Sequence, residues 1–141
     1  MSEPDTTLAP ATAAQASGLA GRRVLVIEDE SMVTMLLQDF LEEIGCEVAG
    51  VASRLKEARE KIDTLAFDVA ILDVNLNGDQ TFPLADVLLA QGRPIVFATG
   101  YGATTLPPRL RALPVLQKPF QQDDLERALR AALSGPATLV S

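Results

Sequence analysis

Histidine is absent from the 141-residue chain. Its absence excludes imidazole general bases, histidine-based nucleophilic triads, the usual zinc sites and any phosphohistidine carried by the chain itself. Whatever chemistry it performs must run on carboxylates, hydroxyls, lysine and a hard metal ion. Cysteine occurs once, at Cys46, so no internal disulfide can form. That fits a reducing, cytoplasmic setting, and Cys46 reads as a small buried residue. Cations are also scarce: 12 Lys and Arg face 19 Asp and Glu, giving a net charge of −7 and a pI near 4.5. Nucleic-acid grooves and anionic membrane surfaces need clustered Lys and Arg, so neither partner is expected. No apolar run approaches the roughly 20 residues that span a bilayer, and the N-terminus lacks the basic and apolar regions of a secretory signal.

What is present suits one ordinary globular domain. Apolar residues make up 48% and charged residues 22%, so most of the chain should fold around a real core. Residues 1–20 (MSEPDTTLAPATAAQASGLA) have no sustained apolar period and read as a disordered leader, with 135–141 as a frayed tail. Between them strands and helices alternate. Arg23–Ile27 (RVLVI) is a short β-branched strand, and Ser31 is a candidate N-cap for a helix with Val33, Leu36, Leu37, Phe40, Leu41 and Ile44 inward, closed by Gly45. Glu47–Ala52 is a second strand, followed by a helix capped by Ser53 with Leu55, Ala58 and Ile62 in one stripe. Phe67–Gly78 (FDVAILDVNLNG) begins as a doubly covered strand, stops at Asp73 and continues as a polar loop. Thr81–Gln91 is a helix with Pro83 in its first turn, and Pro94–Ala98 is a fourth strand. Pro107, Pro108 and Pro114 interrupt the segment after that strand, leaving only Pro108–Leu113 able to be helical. Val115–Gln117 is a brief fifth strand, and Asp123–Leu133 is the last helix. Five β-α units imply a parallel sheet with right-handed crossovers and helices on both faces.

In such a sheet every strand's carboxyl end lies on one edge, where open α/β folds keep their chemistry. Glu28-Asp29 follow the first strand, Asp73 the third, Thr99 the fourth and Lys118 the fifth. An Asp at a strand end can equally be a turn former or a helix cap, so Asp73 alone decides nothing. The coincidence of all four features does. Carboxylates crowded together repel unless a divalent cation sits among them, and Mg²⁺ takes one or two carboxylates while reserving positions for phosphate oxygens. Thr99 and Lys118 add a hydroxyl and an ammonium to the same point. Together these groups meet most of what phosphoryl transfer requires, with Asp73 as nucleophile forming an acyl phosphate.

The set, in this order and on these strand ends, resembles the receiver domain of two-component response regulators over about Arg22–Leu133. The resemblance implies a flavodoxin-like (βα)5 doubly wound sheet of order 2-1-3-4-5, a receiver domain at 21–134, and a short or mobile fourth helix. It also implies Asp73 as phosphoacceptor, Glu28 and Asp29 as the acidic pair with Asp29 the direct Mg²⁺ ligand, and the Asn75 carbonyl as a third ligand. Thr99 is then the switch hydroxyl, and Lys118 pairs with phosphate ahead of a cis bond to Pro119. PIVFATGY at Pro94–Tyr101 and DVNLNG at Asp73–Gly78 look like the alphaproteobacterial single-domain regulators with a PFxFATG[GY] signature, commonly served by HWE or HisKA2 histidine kinases. Ile95 departs from that signature. Val115 stands where receivers usually carry an aromatic switch residue, so Tyr101, the one tyrosine, is a candidate for that role and equally a surface residue without one.

The expected function is therefore a single-domain, phosphorylation-controlled binding module or phosphate sink, not an enzyme beyond self-phosphotransfer and autodephosphorylation. Its expected partners are a histidine kinase or phosphotransfer protein and a downstream protein, with the chain itself a monomer or weak dimer. A phosphatase of the haloacid dehalogenase type would use the same nucleophile, but Asn75 occupies the place of its second Asp. A degenerate receiver that docks without phosphate is the third reading. Because Gly100, Gly102, Pro107, Pro108 and Pro114 crowd Gly100–Pro114, that segment is expected to be the least stable part of the unmodified fold.

Overall fold

The computed structural model describes residues 18–101 and 105–134. Strands β1 (Arg23–Ile27), β2 (Glu47–Ala52), β3 (Val69–Asp73), β6 (Ile95–Thr99) and β7 (Val115–Gln117) form one parallel sheet. Strands β4 (Asn75–Leu76) and β5 (Asp79–Gln80) form a separate antiparallel hairpin. The sheet order is β2-β1-β3-β6-β7, which is 2-1-3-4-5 when the hairpin is set aside. The helices are α1 (Ser31–Ile44), α2 (Leu55–Thr64), α3 (Phe82–Ala90) and α4 (Gln122–Ser134).

The central strands are buried on both faces because alternate residues serve two separate cores. Val24, Val26, Val69, Ile71, Val96 and Ala98 face α1 and α4, where they meet Leu37, Leu41, Leu125 and Leu129. Leu25, Ile27, Ala70, Leu72, Ile95 and Phe97 face α2 and α3, where they meet Ala58, Ile62, Leu84 and Leu88. A bulge pairs Val24 with Val48 but Leu25 with Gly50. At Gly50 a Cβ would sit 2.7 Å from Leu65 Cδ1, so a larger residue there would have to displace the end of that side chain. Cys46 is buried, its thiol donates to the Leu19 carbonyl at 3.4 Å, and burial pushes its pKa up to about 11.

Several local expectations are corrected. Neither Ser31 nor Ser53 caps its helix: the N-cap residues are Glu30 and Arg54, and neither makes a side-chain cap. The Glu30 carboxylate is drawn instead to Lys118, 3.2 Å away. Ser53 donates its backbone N–H to Glu57 Oε1 at 2.9 Å. Leu36 is not core: it is exposed beside Met32 and Met35, while the other inward residues of α1 pack as expected. Residues 75–80 are a hairpin and not an irregular polar loop. Between Pro108 and Leu113, only Pro108–Leu110 is helical, as one 3₁₀ turn with Pro108 in its first positions, because Pro107 and Pro114 leave no room for an α-helical ladder. Leu19, within the stretch read as leader, is 1% exposed and packs against the α1/α4 core, so the folded unit begins before residue 21. Residues 1–17 of the expected leader and the tail at 135–141 lie outside the described residues.

Candidate functional site

The carboxyl ends of β1, β3, β6 and β7 share one edge through the sheet register. Ile27 pairs with Leu72, Asp73 with Ala98, and Thr99 with Gln117. The ladder runs one residue further at each position. Glu28 N–H donates to the Ala52 carbonyl at 2.9 Å, Val74 N–H to Ala98 at 3.1 Å, and Lys118 N–H to Thr99 at 2.8 Å. Backbone pairing therefore brings Glu28, Asp73, Thr99 and Lys118 together although up to 90 residues separate them. The Lys118–Pro119 peptide bond is cis.

The side chains complete the cluster. Glu28, Asp73 and Thr99 are all buried. Lys118 Nζ stands 3.2 Å from a carboxylate oxygen of each of Glu28, Glu30 and Asp73. One oxygen from each of Glu28, Asp29, Glu30 and Asp73 lies within 4.8 Å of the others. Burial raises the Glu28 pKa to about 7, aided by a hydrogen bond with Asp73 and by that residue's charge, against the pull of Lys118. Burial works to lower the Lys118 pKa, but the charges of Asp73 and Glu28 and hydrogen bonds to Glu28 and Glu30 outweigh it, so the net shift is upward. One ammonium facing three carboxylates leaves the site short of positive charge.

The donor set fits a hard divalent cation. Every candidate ligand is an oxygen, and Glu28 Oε1 is buried without a hydrogen-bond partner, lying near Lys118 Nζ but outside bonding geometry. Asp29, Asp73 and Asn75 line one cleft with Thr99, Tyr101 and Lys118. Asn75 N–H donates to Asp73 Oδ1 at 3.2 Å. Thr99 Oγ1 accepts the Tyr101 N–H at 3.1 Å, while the Tyr101 ring is 82% exposed at the rim.

Three supporting residues were given no role by sequence reasoning. Glu30 joins the cluster, as the last of the acidic run Glu28-Asp29-Glu30 at the end of the first strand. Thr81 is completely buried and donates its hydroxyl to the Asp73 carbonyl at 2.6 Å, so this N-cap threonine does not cap α3. Asn77, with φ of 53°, donates its N–H to Asp29 Oδ2 at 2.8 Å. The dipeptide Asn77-Gly78 is a hairpin-turn signal that could have revealed the loop's form.

Comparison with known proteins matches residues 24–130 to the model of the response regulator receiver domain. The chain belongs to that family. It is 34% identical over 117 residues to the transcriptional regulatory protein PdtaR of Mycobacterium tuberculosis, covering 80% of this chain and 57% of PdtaR, so it spans little more than half of that relative. The solution structure of SdrG from Sphingomonas melonis is similar with TM-score 0.73 and 39% identity, covering 80% of this chain and 97% of SdrG. The receiver domain of PhyR from Erythrobacter litoralis is similar with TM-score 0.68 and 26% identity, covering 86% of this chain and 93% of that one. The five-stranded order described above is thus that of a flavodoxin-like receiver fold. Among the described residues, no helix is long and apolar enough to cross a membrane.

Proposed function

We propose that the chain is a response-regulator receiver that accepts a phosphoryl group on Asp73 from a phosphohistidine carried by a histidine kinase or phosphotransfer protein. The observation that carries this reading is the buried Asp73 carboxylate, 3.2 Å from Lys118, within a group of acidic oxygens that all lie within 4.8 Å. An Asp73 oxygen attacks phosphorus, the P–N bond to the donor imidazole breaks, and an acyl phosphate forms. Lys118, released from one of its carboxylates, pairs with the incoming phosphoryl oxygens. Asp29, Asp73 and the Asn75 carbonyl would hold Mg²⁺, with Glu28 beside them, and the ion would neutralise charge between phosphoryl and carboxylate oxygens.

Thr99 turns toward the phosphoryl group and carries Gly100 and Tyr101 with it, changing the surface beside β6 and β7 that a downstream protein reads. The PIVFATGY stretch, with its resemblance to regulators commonly served by such kinases, favours a kinase of the HWE or HisKA2 type. The same reading places the protein in the cytoplasm, as a monomer or weak dimer.

Mass measurement after incubation with acetyl phosphate and Mg²⁺ tests it. Gain of one phosphoryl group, lost in Asp73→Asn, is expected. Continuous turnover of the donor points to a phosphatase, and an unchanged mass to a module that docks without phosphate.

A further inference from the structure

The hairpin after β3 does more than close a loop. Its tip residue Asn77 makes two long-range hydrogen bonds: its N–H donates to Asp29 Oδ2 at 2.8 Å, and its side-chain Nδ2 donates to the Ser53 carbonyl at 3.0 Å. The tip adopts a left-handed turn, with φ of 53° at Asn77 and 86° at Gly78. The base is fastened too, by the Thr81 hydroxyl on the Asp73 carbonyl and by Thr81 N–H on the Val74 carbonyl at 3.0 Å. Within the hairpin, Asn75 Oδ1 accepts the Gly78 N–H at 2.9 Å.

Resting on the reading of this cleft as a Mg²⁺-dependent phosphoacceptor site, the geometry points to Asn77 as a positioning residue for the cation. It holds Asp29 by one carboxylate oxygen, which fixes the side chain's orientation and makes that oxygen the poorer ligand, and this favours Mg²⁺ over Ca²⁺. Mg²⁺ demands a tight octahedron to which each carboxylate gives a single oxygen. Ca²⁺ is larger, takes more ligands and commonly takes both oxygens of one carboxylate. Ca²⁺ taking both Asp29 oxygens would have to share Oδ2 with the Asn77 N–H, weakening both contacts. The bond survives because the tip is anchored independently on Ser53 and locked in a turn that Asn tolerates well. A hydrogen-bonded ligand of this kind is oriented before the ion arrives, and such outer partners are worth roughly 10–100-fold in metal affinity.

The test uses the full chain and measures Mg²⁺ and Ca²⁺ affinities separately by isothermal titration calorimetry. Asn77→Gly keeps the left-handed turn and removes the Ser53 anchor. Gly78→Ala meets no atom within 4 Å and acts only by straining the turn at φ of 86°. Both variants are expected to lose Mg²⁺ affinity, Asn77→Gly by roughly 10-fold, and to lose less Ca²⁺ affinity, so that the preference for Mg²⁺ narrows. In the unaltered chain the Asn77 amide proton should resonate downfield and move upfield in Asp29→Ala. Unchanged Mg²⁺ affinity in both variants, or equal losses for both ions, overturns the assignment, as does an amide signal indifferent to Asp29. Labelling by acetyl phosphate at saturating Mg²⁺ separates the two claims. If Asp73 is never labelled, the phosphoacceptor reading fails, while the ion affinities still decide the role of Asn77.

Discussion

The two flanks of Asp73 are built differently. On the side of β1 and the hairpin, side chains and backbone are tied across long sequence distances, from Asn77 to Asp29 and Ser53 and from Thr81 to Asp73. On the side of β6 and β7, where receivers of the usual pattern place a helix, the described residues include a 3₁₀ turn at Pro108–Leu110, held by short-range bonds such as Leu110 N–H to the Pro107 carbonyl. That turn is anchored to the core by Leu106 and Leu110, both 1% exposed. Its outer side is joined to α3 by the exposed pair of Arg109 and Asp86, whose hydrogen bond lowers the Asp86 pKa. The contrast suggests a division of labour. On the proposed reading, the flank that would hold an ion is fixed in advance, while the described residues of the flank that would respond are tied mainly by short-range backbone bonds.

The largest expected effect lies at the boundary between the flanks. Asp73→Asn should abolish phosphoryl labelling by any donor, measured by intact mass. Persistent label would move the nucleophile to Glu28 or Asp29 and dissolve the division. Lys118→Ala should slow labelling by roughly 10–100-fold, because a charge aimed at the transferring group is lost, while circular dichroism still reports a folded chain. Within the responding flank, Leu110→Ala should cost roughly 2–5 kcal/mol in denaturant unfolding, whereas Arg109→Ala, which removes only an exposed ion pair, should cost far less. Similar costs for both would mean that the exposed ion pair, and not the buried leucines, secures the segment. Amide exchange sharpens the same point: Gly100–Pro114 should exchange faster than β3 before phosphorylation and slow after it.

The smallest effect concerns the fixed flank without its ion. Burial raises the Glu28 pKa from 4.5 in the unfolded chain to about 7 in the fold, so the native state holds the extra proton between those values. Glu28's contribution is therefore fully present below about pH 4.5 and is lost as pH rises through 7. In EDTA, stability attributable to this residue should decline across that window, and Glu28→Gln should flatten the decline. An unchanged slope in Glu28→Gln would assign the titration to another member of the cluster.

Much of the site was legible because strand ends are legible. Once five apolar runs alternate with helices, the parallel sheet places Glu28, Asp73, Thr99 and Lys118 on one edge whatever the details of packing. Glu30 was harder to read, since the same position serves equally as a helix N-cap, and only the reach of Lys118 decides which role its carboxylate takes. Leu36 shows a similar limit: helical spacing tolerates it in the inward stripe, but the width of the face buried by the sheet is a tertiary property, and Leu36 falls outside it.

By itself, then, the sequence determined the alternation of strands and helices, the chemistry confined to oxygen and nitrogen groups other than imidazole, and the poor helix-forming capacity between Gly100 and Pro114. These follow from local propensity and residue type. Only the tertiary structure decided that Asn77 meets Asp29, that the Thr81 hydroxyl leaves its helix for the Asp73 carbonyl, and that Lys118 is shared among three carboxylates. Those contacts join residues that local pattern does not relate, and which of several available partners a polar group takes depends on the space and charge that packing brings beside it.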